Sequence, residues 1–111
     1  DLNRASMNVV AHQIIGERDF ESFCKYDAEV HHYRCTVLQS RWLEQGGHLV
    51  YEISANRFLH GMVRGLVGTM IDVGRGFIPI AAFGEIMEAR DRRKAGMAAP
   101  PQGLFLEEVL Y

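Results

Sequence analysis

An apolar segment with helical periodicity, residues 57–73, constrains the fold of this chain more than any other part of the sequence. At about 100° per residue, its apolar side chains cover about half of a helix and predict a face buried in a core. They are Phe58, Leu59, Met62, Val63, Leu66, Val67, Met70 and Val73. The opposite stripe carries Arg57, His60, Gly61, Arg64, Gly68 and Asp72.

Three glycines lie inside this predicted helix, and each lowers helix stability by roughly 0.5–1 kcal/mol relative to alanine. Packing or a binding site should compensate for them. In one interpretation, another backbone packs closely against Gly61 and Gly68, and Arg64 is an ordinary solvated charge. In the other, Arg64 has a glycine one turn before it and one turn after it because it lies at the edge of a pocket.

The segments before this helix predict a helix followed by a β-hairpin. Apolar residues recur at helical spacing from about Asn3 to Ile15, and Gly16 is placed to end that helix. Residues 17–32 are polar and irregular. A strand over 33–44 precedes Gly46-Gly47, a hairpin signal, and the following residues 48–55 alternate in polarity, which predicts a sheet buried on one face.

The segments after the long helix predict one more helix and one more strand. A short helix with Pro79 as its first residue runs to about Ala89 and buries Ile80, Phe83, Ile86 and Met87. Residues 95–102 predict a loop, and Gly103–Tyr111 a final strand. The order α-β-β-α-α-β indicates a single α+β domain over residues 1–111, with an antiparallel sheet covered on one face by helices.

Composition excludes several classes of protein. The 111 residues are 48% apolar, which suits one globular core, and the formal net charge of −2 argues against a free-standing nucleic-acid binder. The two cysteines, Cys24 and Cys35, have no metal-site spacing, and neighbouring His31 and His32 point to opposite faces of an extended segment, so no metal is predicted. Without an apolar run of roughly 18 residues or a signal pattern, a cytoplasmic protein with no membrane contact is expected.

Three segments together resemble the TruA family of tRNA pseudouridine synthases. Residues 16–23, the first motif, resemble G-x-x-D-F-x-S-F, and residues 56–70, the second motif, resemble N-x-F-x-H-x-M-V-R-x-x-V-G-x-M. Residues 91–106, the third motif, resemble D-R-x-x-A-G-x-x-A-P-x-x-G-L-x-L. The motifs follow the family's order and span essentially the whole chain, which resembles the C-terminal half of such an enzyme.

The resemblance implies an activity on tRNA without a metal or organic cofactor. In this family an aspartate attacks a flipped-out uridine, and the uracil is rejoined to the ribose through carbon 5. Arg64 matches the family's active-site arginine, which pairs with that aspartate, and Leu104 matches an apolar wall against the flipped base. The family acts as a homodimer on uridines of the tRNA anticodon stem-loop, and these properties are the expectation for the full-length protein.

Several residues have a functional and a structural interpretation. Leu104 could equally be a core leucine, and His60 could contact RNA, line the pocket mouth or lie on an ordinary surface. Arg57 lies on the same predicted stripe as Arg64 and is a weaker candidate for RNA contact. The only basic cluster is Arg92, Arg93 and Lys94, which could contact phosphate or simply complement the end of a helix.

The catalytic aspartate is expected outside this chain. Asp27 lies in a D-A-x-V-H spelling like the family's R-T-D-A-G-V-H motif, but Lys25, Tyr26 and Glu29 depart from that motif, which predicts a solvated loop residue. Since the chain also starts without Met, it is expected to be a fragment that lacks the nucleophile and is inactive alone.

Two alternatives to the enzyme remain open. One is a non-catalytic α+β RNA-binding or interaction module, although no strand spells the aromatic pattern of an RNA-recognition sheet. The other is a paralogue of the enzyme that kept the fold and lost the activity.

Overall fold

The chain folds into a three-stranded antiparallel sheet and three α-helices, described for residues 2–96 in a computed structural model. The elements are α1 (Arg4–Gln13), β1 (Gly16–Asp19), a 3₁₀ turn (Glu21–Phe23), β2 (Arg34–Gln45), β3 (His48–Ala55), α2 (Met62–Gly74), α3 (Ile80–Ala89) and a second 3₁₀ turn (Arg92–Lys94). The α+β prediction is confirmed. The predicted strand Gly103–Tyr111, and Leu104 with it, lies outside the described residues.

The sheet has the strand order β1-β2-β3, and both pairs are antiparallel. The predicted hairpin is confirmed: Gly46 and Gly47 both have positive φ, +57° and +81°, as a two-residue turn that matches the strand twist requires. Strand β1 was missed by the sequence analysis, which predicts residues 17–32 to be irregular. It pairs with the first residues of β2, from Gly16 opposite Val37 to Asp19 opposite Arg34.

One face of the sheet is buried, as predicted. On β2 the buried residues are Cys35 and Val37 and then Ser40 and Trp42, so the alternation moves by one position. A bulge between Val37 and Gln39 causes this change of phase. Strand β3 does not show the clean alternation that its sequence predicts, because Leu49, on the predicted buried face, is 36% exposed.

Helix α1 packs on β2 and also supplies hydrogen bonds to it. The Asn8 side-chain oxygen accepts from the Trp42 N–H at 2.7 Å, and its amide nitrogen donates to the Trp42 carbonyl at 3.2 Å. The Trp42 ring lies 4.9 Å from the Tyr51 ring, and its indole N–H points to the sulfur of Met70 on α2. Trp42 therefore links α1, the hairpin and α2 in one core.

The helix boundaries differ from the predictions in three places. Helix α2 begins at Met62, not at Arg57, so Gly61 precedes the helix. Helix α1 ends at Gln13 and is capped by Ile14, so Gly16 opens β1 and does not terminate α1. Pro79 caps α3 from outside the helix, with φ −64° and ψ 148°, because its extended backbone precedes the first helical residue.

The predicted buried face of α3 is partly wrong. Phe83 and Ile86 are buried, but Ile80 is 37% exposed because it opens the helix at the edge of the core, and Met87 is only half-buried.

Candidate active site

The loop of residues 56–61 brings the chain from the end of β3 to the start of α2. Asn56 fixes its first residue, because its N–H donates to the Thr36 carbonyl at 2.9 Å and its side-chain oxygen accepts from the Thr36 N–H at 2.8 Å. Gly61 then adopts φ +75°, a conformation that L side chains rarely adopt. The sharp turn that only glycine adopts easily therefore sets where α2 begins.

Arg64 is the third residue of α2 and is half-buried. The positive end of a helix dipole lies at its N-terminus, where a cation is unfavourable by typically 0.3–1 kcal/mol. The first turn of α2 holds no acidic residue to offset this charge. Helix stability therefore does not explain an arginine at this position.

Gly65, the residue after Arg64 on α2, makes a close contact with the backbone of Phe23. A Cβ atom placed on Gly65 would lie 2.9 Å from the carbonyl carbon of Phe23, and nearer still to its oxygen. The first motif therefore packs directly on the helix that carries Arg64. The sequence predicts close packing of a backbone at Gly61 and Gly68. The structure shows the closest approach at Gly65, while at Gly61, which also makes the turn, the Lys25 backbone nitrogen lies 3.7 Å from the would-be Cβ. Gly68 is buried.

The third motif lies against the same stripe of α2, at Thr69 and Asp72. The Gly96 N–H donates to the Thr69 hydroxyl at 3.0 Å. A Cβ atom on Gly96 would lie 2.5 Å from the Asp72 carboxylate and 3.1 Å from the Thr69 Cα. Gly65, Thr69 and Asp72 are spaced at i, i+4 and i+7, so one helix stripe receives both neighbouring motifs.

Ser22 connects the first motif directly to the third. Its hydroxyl, which is fully buried, donates to the Ile86 carbonyl at 2.6 Å and accepts from the Asp91 N–H at 2.9 Å. In addition, the Arg90 guanidinium lies 3.5 Å from the Asp19 carboxylate. The parts of the three motifs that the structure describes thus meet along α2, between Gly65 and Asp72.

Arg57 and His60 lie in the loop before α2, which corrects the prediction that they share a helical stripe with Arg64. The Arg57 guanidinium donates to the carbonyls of Arg34 at 3.2 Å and His32 at 3.3 Å. The His60 side chain is exposed, while its carbonyl accepts from the Lys25 N–H at 2.9 Å. The Arg57 side chain is therefore held by the backbone at the start of β2, whereas the His60 side chain is open to solvent.

The basic residues 92–94 form a 3₁₀ turn beyond the end of α3. Arg92 donates to the Gly96 carbonyl at 2.8 Å, whereas Lys94 is exposed. Arg93 holds the Asp91 carboxylate with two bonds, at 2.8 and 3.0 Å, and these bonds lower the pKa of Asp91 to about 2. The explanation from the α3 dipole does not apply, because the last turn of α3 holds no basic residue.

The remaining candidates stay outside this arrangement. Asp27 lies in a loop, where its carboxylate accepts from the Glu29 N–H at 2.9 Å. Cys24 and Cys35 are buried free thiols, and burial raises the pKa of Cys24 to about 11. Within residues 2–96, no cluster of three or more His, Cys, Asp or Glu side chains could hold a metal ion.

A groove of about 610 Å³ lies between the end of α1, β1 and α3. None of its lining residues belongs to α2 or to the loop before it, so it is separate from Arg64.

Over the described part of the chain, no helix is long and apolar enough to span a membrane.

Comparison with known proteins assigns this arrangement of motifs to one family. A family model described as tRNA pseudouridine synthase matches residues 10–111. The chain is 42% identical over 112 residues to tRNA pseudouridine synthase A of Porphyromonas gingivalis and 39% identical over 110 residues to that of Parabacteroides distasonis. It is 36% identical over 110 residues to the protein of the same name from Exiguobacterium sibiricum. Each match covers 99% of this chain and 44% of the relative, so the chain spans less than half the length of the relatives it matches.

Three residues that organise the site are not among those predicted from the sequence. Ser22 and Asn56 are named letters of the first and second motifs, so the motifs themselves carried a signal for them. Thr69 stands at a position that the second motif leaves open, and nothing in the sequence singles it out.

Proposed function

The chain belongs to the tRNA pseudouridine synthase family, and from this membership we propose that it is the C-terminal domain of a cytoplasmic enzyme that converts uridine to pseudouridine in the tRNA anticodon stem-loop. The observation that carries the proposal is the position of Arg64, a half-buried cation at the N-terminal end of α2 where the first and third motifs pack on the same helix. The full-length enzyme is expected to be a homodimer.

Arg64 has a specific task in the proposed reaction. The glycosidic bond from the ribose to N1 of uracil breaks, a bond from the ribose to C5 forms, the hydrogen on C5 leaves to solvent as a proton, and N1 takes up a proton. The aspartate that attacks the uridine would come from the N-terminal half that the relatives possess. A guanidinium beside that carboxylate lowers its pKa and orients it, which keeps the nucleophile ionised.

The flipped base needs a pocket wall and polar groups at the entrance. Leu104 would form the apolar wall, and His60 would line the mouth. Arg57, Arg92, Arg93 and Lys94 are weaker candidates for phosphate contacts, since the first three already hold groups of this chain. No step in this scheme uses a metal or an organic cofactor.

The exposed sheet face does not favour the alternative of an RNA-recognition module. Such a module stacks bases on exposed aromatic residues of its strands. The two aromatic residues in β2 and β3, Trp42 and Tyr51, pack against each other, and burial raises the pKa of the Tyr51 hydroxyl. The described strands thus offer no aromatic platform.

The experiment is tritium release from tRNA labelled at uracil C5, measured with the full-length enzyme. Loss of one preorganised charge-stabilising group from an active site costs about 10²–10³ in kcat, so Arg64→Ala should lower kcat up to about 10³-fold. Arg75→Ala, at the exposed C-terminal end of the same helix, is the matched control and should retain wild-type activity. The 111-residue chain alone should release no tritium. Wild-type turnover by a well-folded Arg64→Ala enzyme would refute the role of Arg64.

A further inference from the structure

Gly96 is hydrogen-bonded at both its N–H and its carbonyl, and the bond of its N–H goes to α2. Its N–H donates to the Thr69 hydroxyl at 3.0 Å, and its carbonyl accepts from the Arg92 guanidinium at 2.8 Å. The absence of a side chain at this position lets the backbone approach the Thr69 Cα and the Asp72 carboxylate. We call this arrangement the Gly96 clamp, formed by Thr69, Arg92 and Gly96.

Thr69 makes more hydrogen bonds than its place in the helix requires. A buried threonine in a helix usually satisfies its hydroxyl by donating to the carbonyl four residues earlier, and Thr69 does this with Gly65 at 2.8 Å. The same oxygen also accepts from Gly96, 27 residues away in the sequence. Thr69 is fully buried, so water does not compete for either bond.

Arg92 completes the clamp from the other end of the same motif. Its guanidinium is half-buried, and the bond to the Gly96 carbonyl spans only four residues. The 3₁₀ turn that carries Arg92 is itself fixed, because the Asp91 N–H donates to the buried Ser22 hydroxyl at 2.9 Å. The clamp therefore rests on α2 and on the first motif together.

We propose that Thr69 and Arg92 are positioning residues that fix Gly96, and with it the described start of the third motif, against the helix that carries Arg64. This inference rests on the proposed function, in which Leu104 and Arg64 form two sides of one pocket. Arg64 and Leu104 belong to segments far apart in sequence, and catalytic groups must be held within about 0.5 Å of their productive geometry. The clamp supplies a connection between the third motif and α2 at Gly96.

The test uses Thr69→Val, Thr69→Ser and Arg92→Met in the full-length enzyme. Valine keeps the shape of threonine and loses both hydrogen bonds, whereas serine keeps the hydroxyl, so serine should rescue what valine loses. Thr69→Val should speed hydrogen exchange at the Gly96 amide about tenfold. It should also lower kcat about tenfold with KM within about twofold, because the phosphate contacts that dominate tRNA binding remain.

Arg92→Met separates positioning from RNA contact, with Arg75→Met as the control for loss of one positive charge. A positioning role predicts a lower kcat and an unchanged salt dependence of the tRNA Kd. The alternative result is an unchanged kcat together with a slope of log Kd against log salt concentration that is smaller by about one. That result would make Arg92 a phosphate contact and overturn its part in the clamp.

Wild-type kcat and KM for Thr69→Val, in an enzyme that is otherwise active, would overturn the proposal. A wild-type enzyme that releases no tritium would instead refute the proposed function, while exchange at the Gly96 amide would still report on the clamp. If Thr69→Val does not fold, Arg92→Met alone decides, because Arg92 lies outside the buried core.

Discussion

Gly65 offers the sharpest test of the packing between the first and second motifs. In Gly65→Ala, the new Cβ would lie 2.9 Å from the Phe23 carbonyl carbon and nearer still to the carbonyl oxygen, where ordinary contacts begin at 3.4 Å, so the backbones must separate by more than about 0.5 Å. The Phe23 segment resists this movement. Ser22 beside it is bonded to Ile86 at 2.6 Å, and the Phe23 ring stacks on Phe83 at a centroid distance of 5.5 Å.

The magnitude follows from two opposing effects. Overpacking of a rigid site costs about 3 kcal/mol, while replacing an interior helix glycine by alanine gains about 1 kcal/mol. Gly65→Ala should therefore lower the free energy of unfolding by about 2 kcal/mol. Gly84→Ala is the matched control, because Gly84 is also inside a helix but has no atom within 4 Å of its would-be Cβ. It should stabilise the protein by about 0.5–1 kcal/mol.

Urea unfolding of this chain, followed by Trp42 fluorescence and far-UV circular dichroism, measures both effects. With an m-value of about 1–2 kcal/mol/M, the Gly65→Ala midpoint should fall by about 1–2 M at unchanged m. A midpoint at or above the wild-type value for Gly65→Ala would show that the Phe23 backbone moves freely, and the argument for a rigid contact would fail.

Two further predictions concern hydrogen bonds outside α2. Asn8→Ala leaves the Trp42 N–H and carbonyl without their partners and should lower the urea stability by about 1–3 kcal/mol. Asn8→Asp keeps the acceptor for the Trp42 N–H but loses the donor, so its loss should be smaller; equal stability of Asn8→Ala and wild type would contradict the role of Asn8. The pKa of Asp91, lowered to about 2 by Arg93, implies a contribution to stability that is present above the ordinary value of 3.8 and lost as the pH falls towards 2. An NMR titration should show this low pKa, and Arg93→Ala should return it towards 3.8; an unchanged value would contradict the pairing.

Most of the fold could be predicted from periodicity and turn residues. The hairpin follows from Gly46-Gly47, and α1 and α3 follow from apolar spacing. Strand β1 could not be predicted in this way, because Glu17, Arg18 and Asp19 carry no apolar alternation, and the segment becomes a strand by pairing its backbone with β2. Pairing with a neighbouring strand determines whether such a short polar segment becomes a strand.

The start of α2 shows where helical periodicity misleads. Phe58 and Leu59 continue the apolar spacing of the helix, but they belong to the loop before it. Leu59 is buried in the core although its backbone is not helical. Spacing reports which side chains are buried, not which backbone conformation buries them. The positive φ of Gly61, which depends on the route of the chain from β3, sets the boundary.

The candidate site was predictable only in part. The resemblance to a family singled out Arg64, and the structure places it half-buried in the first turn of α2. The contacts of Gly65 with Phe23 and of Thr69 with Gly96 join residues 42 and 27 positions apart. No local pattern encodes such contacts, because they depend on how the elements pack.

The buried hydroxyl of Ser22 also has a consequence for the order of folding. Its two partners, Ile86 and Asp91, lie 64 and 69 residues further along the chain. At about 5–20 residues per second, the ribosome delivers Asp91 roughly 3–14 s after Ser22. Contacts between such distant residues pay a large loop-closure entropy and form late. The hairpin and the early helices can therefore form during synthesis, whereas the closure around Ser22 waits until the third motif has been made.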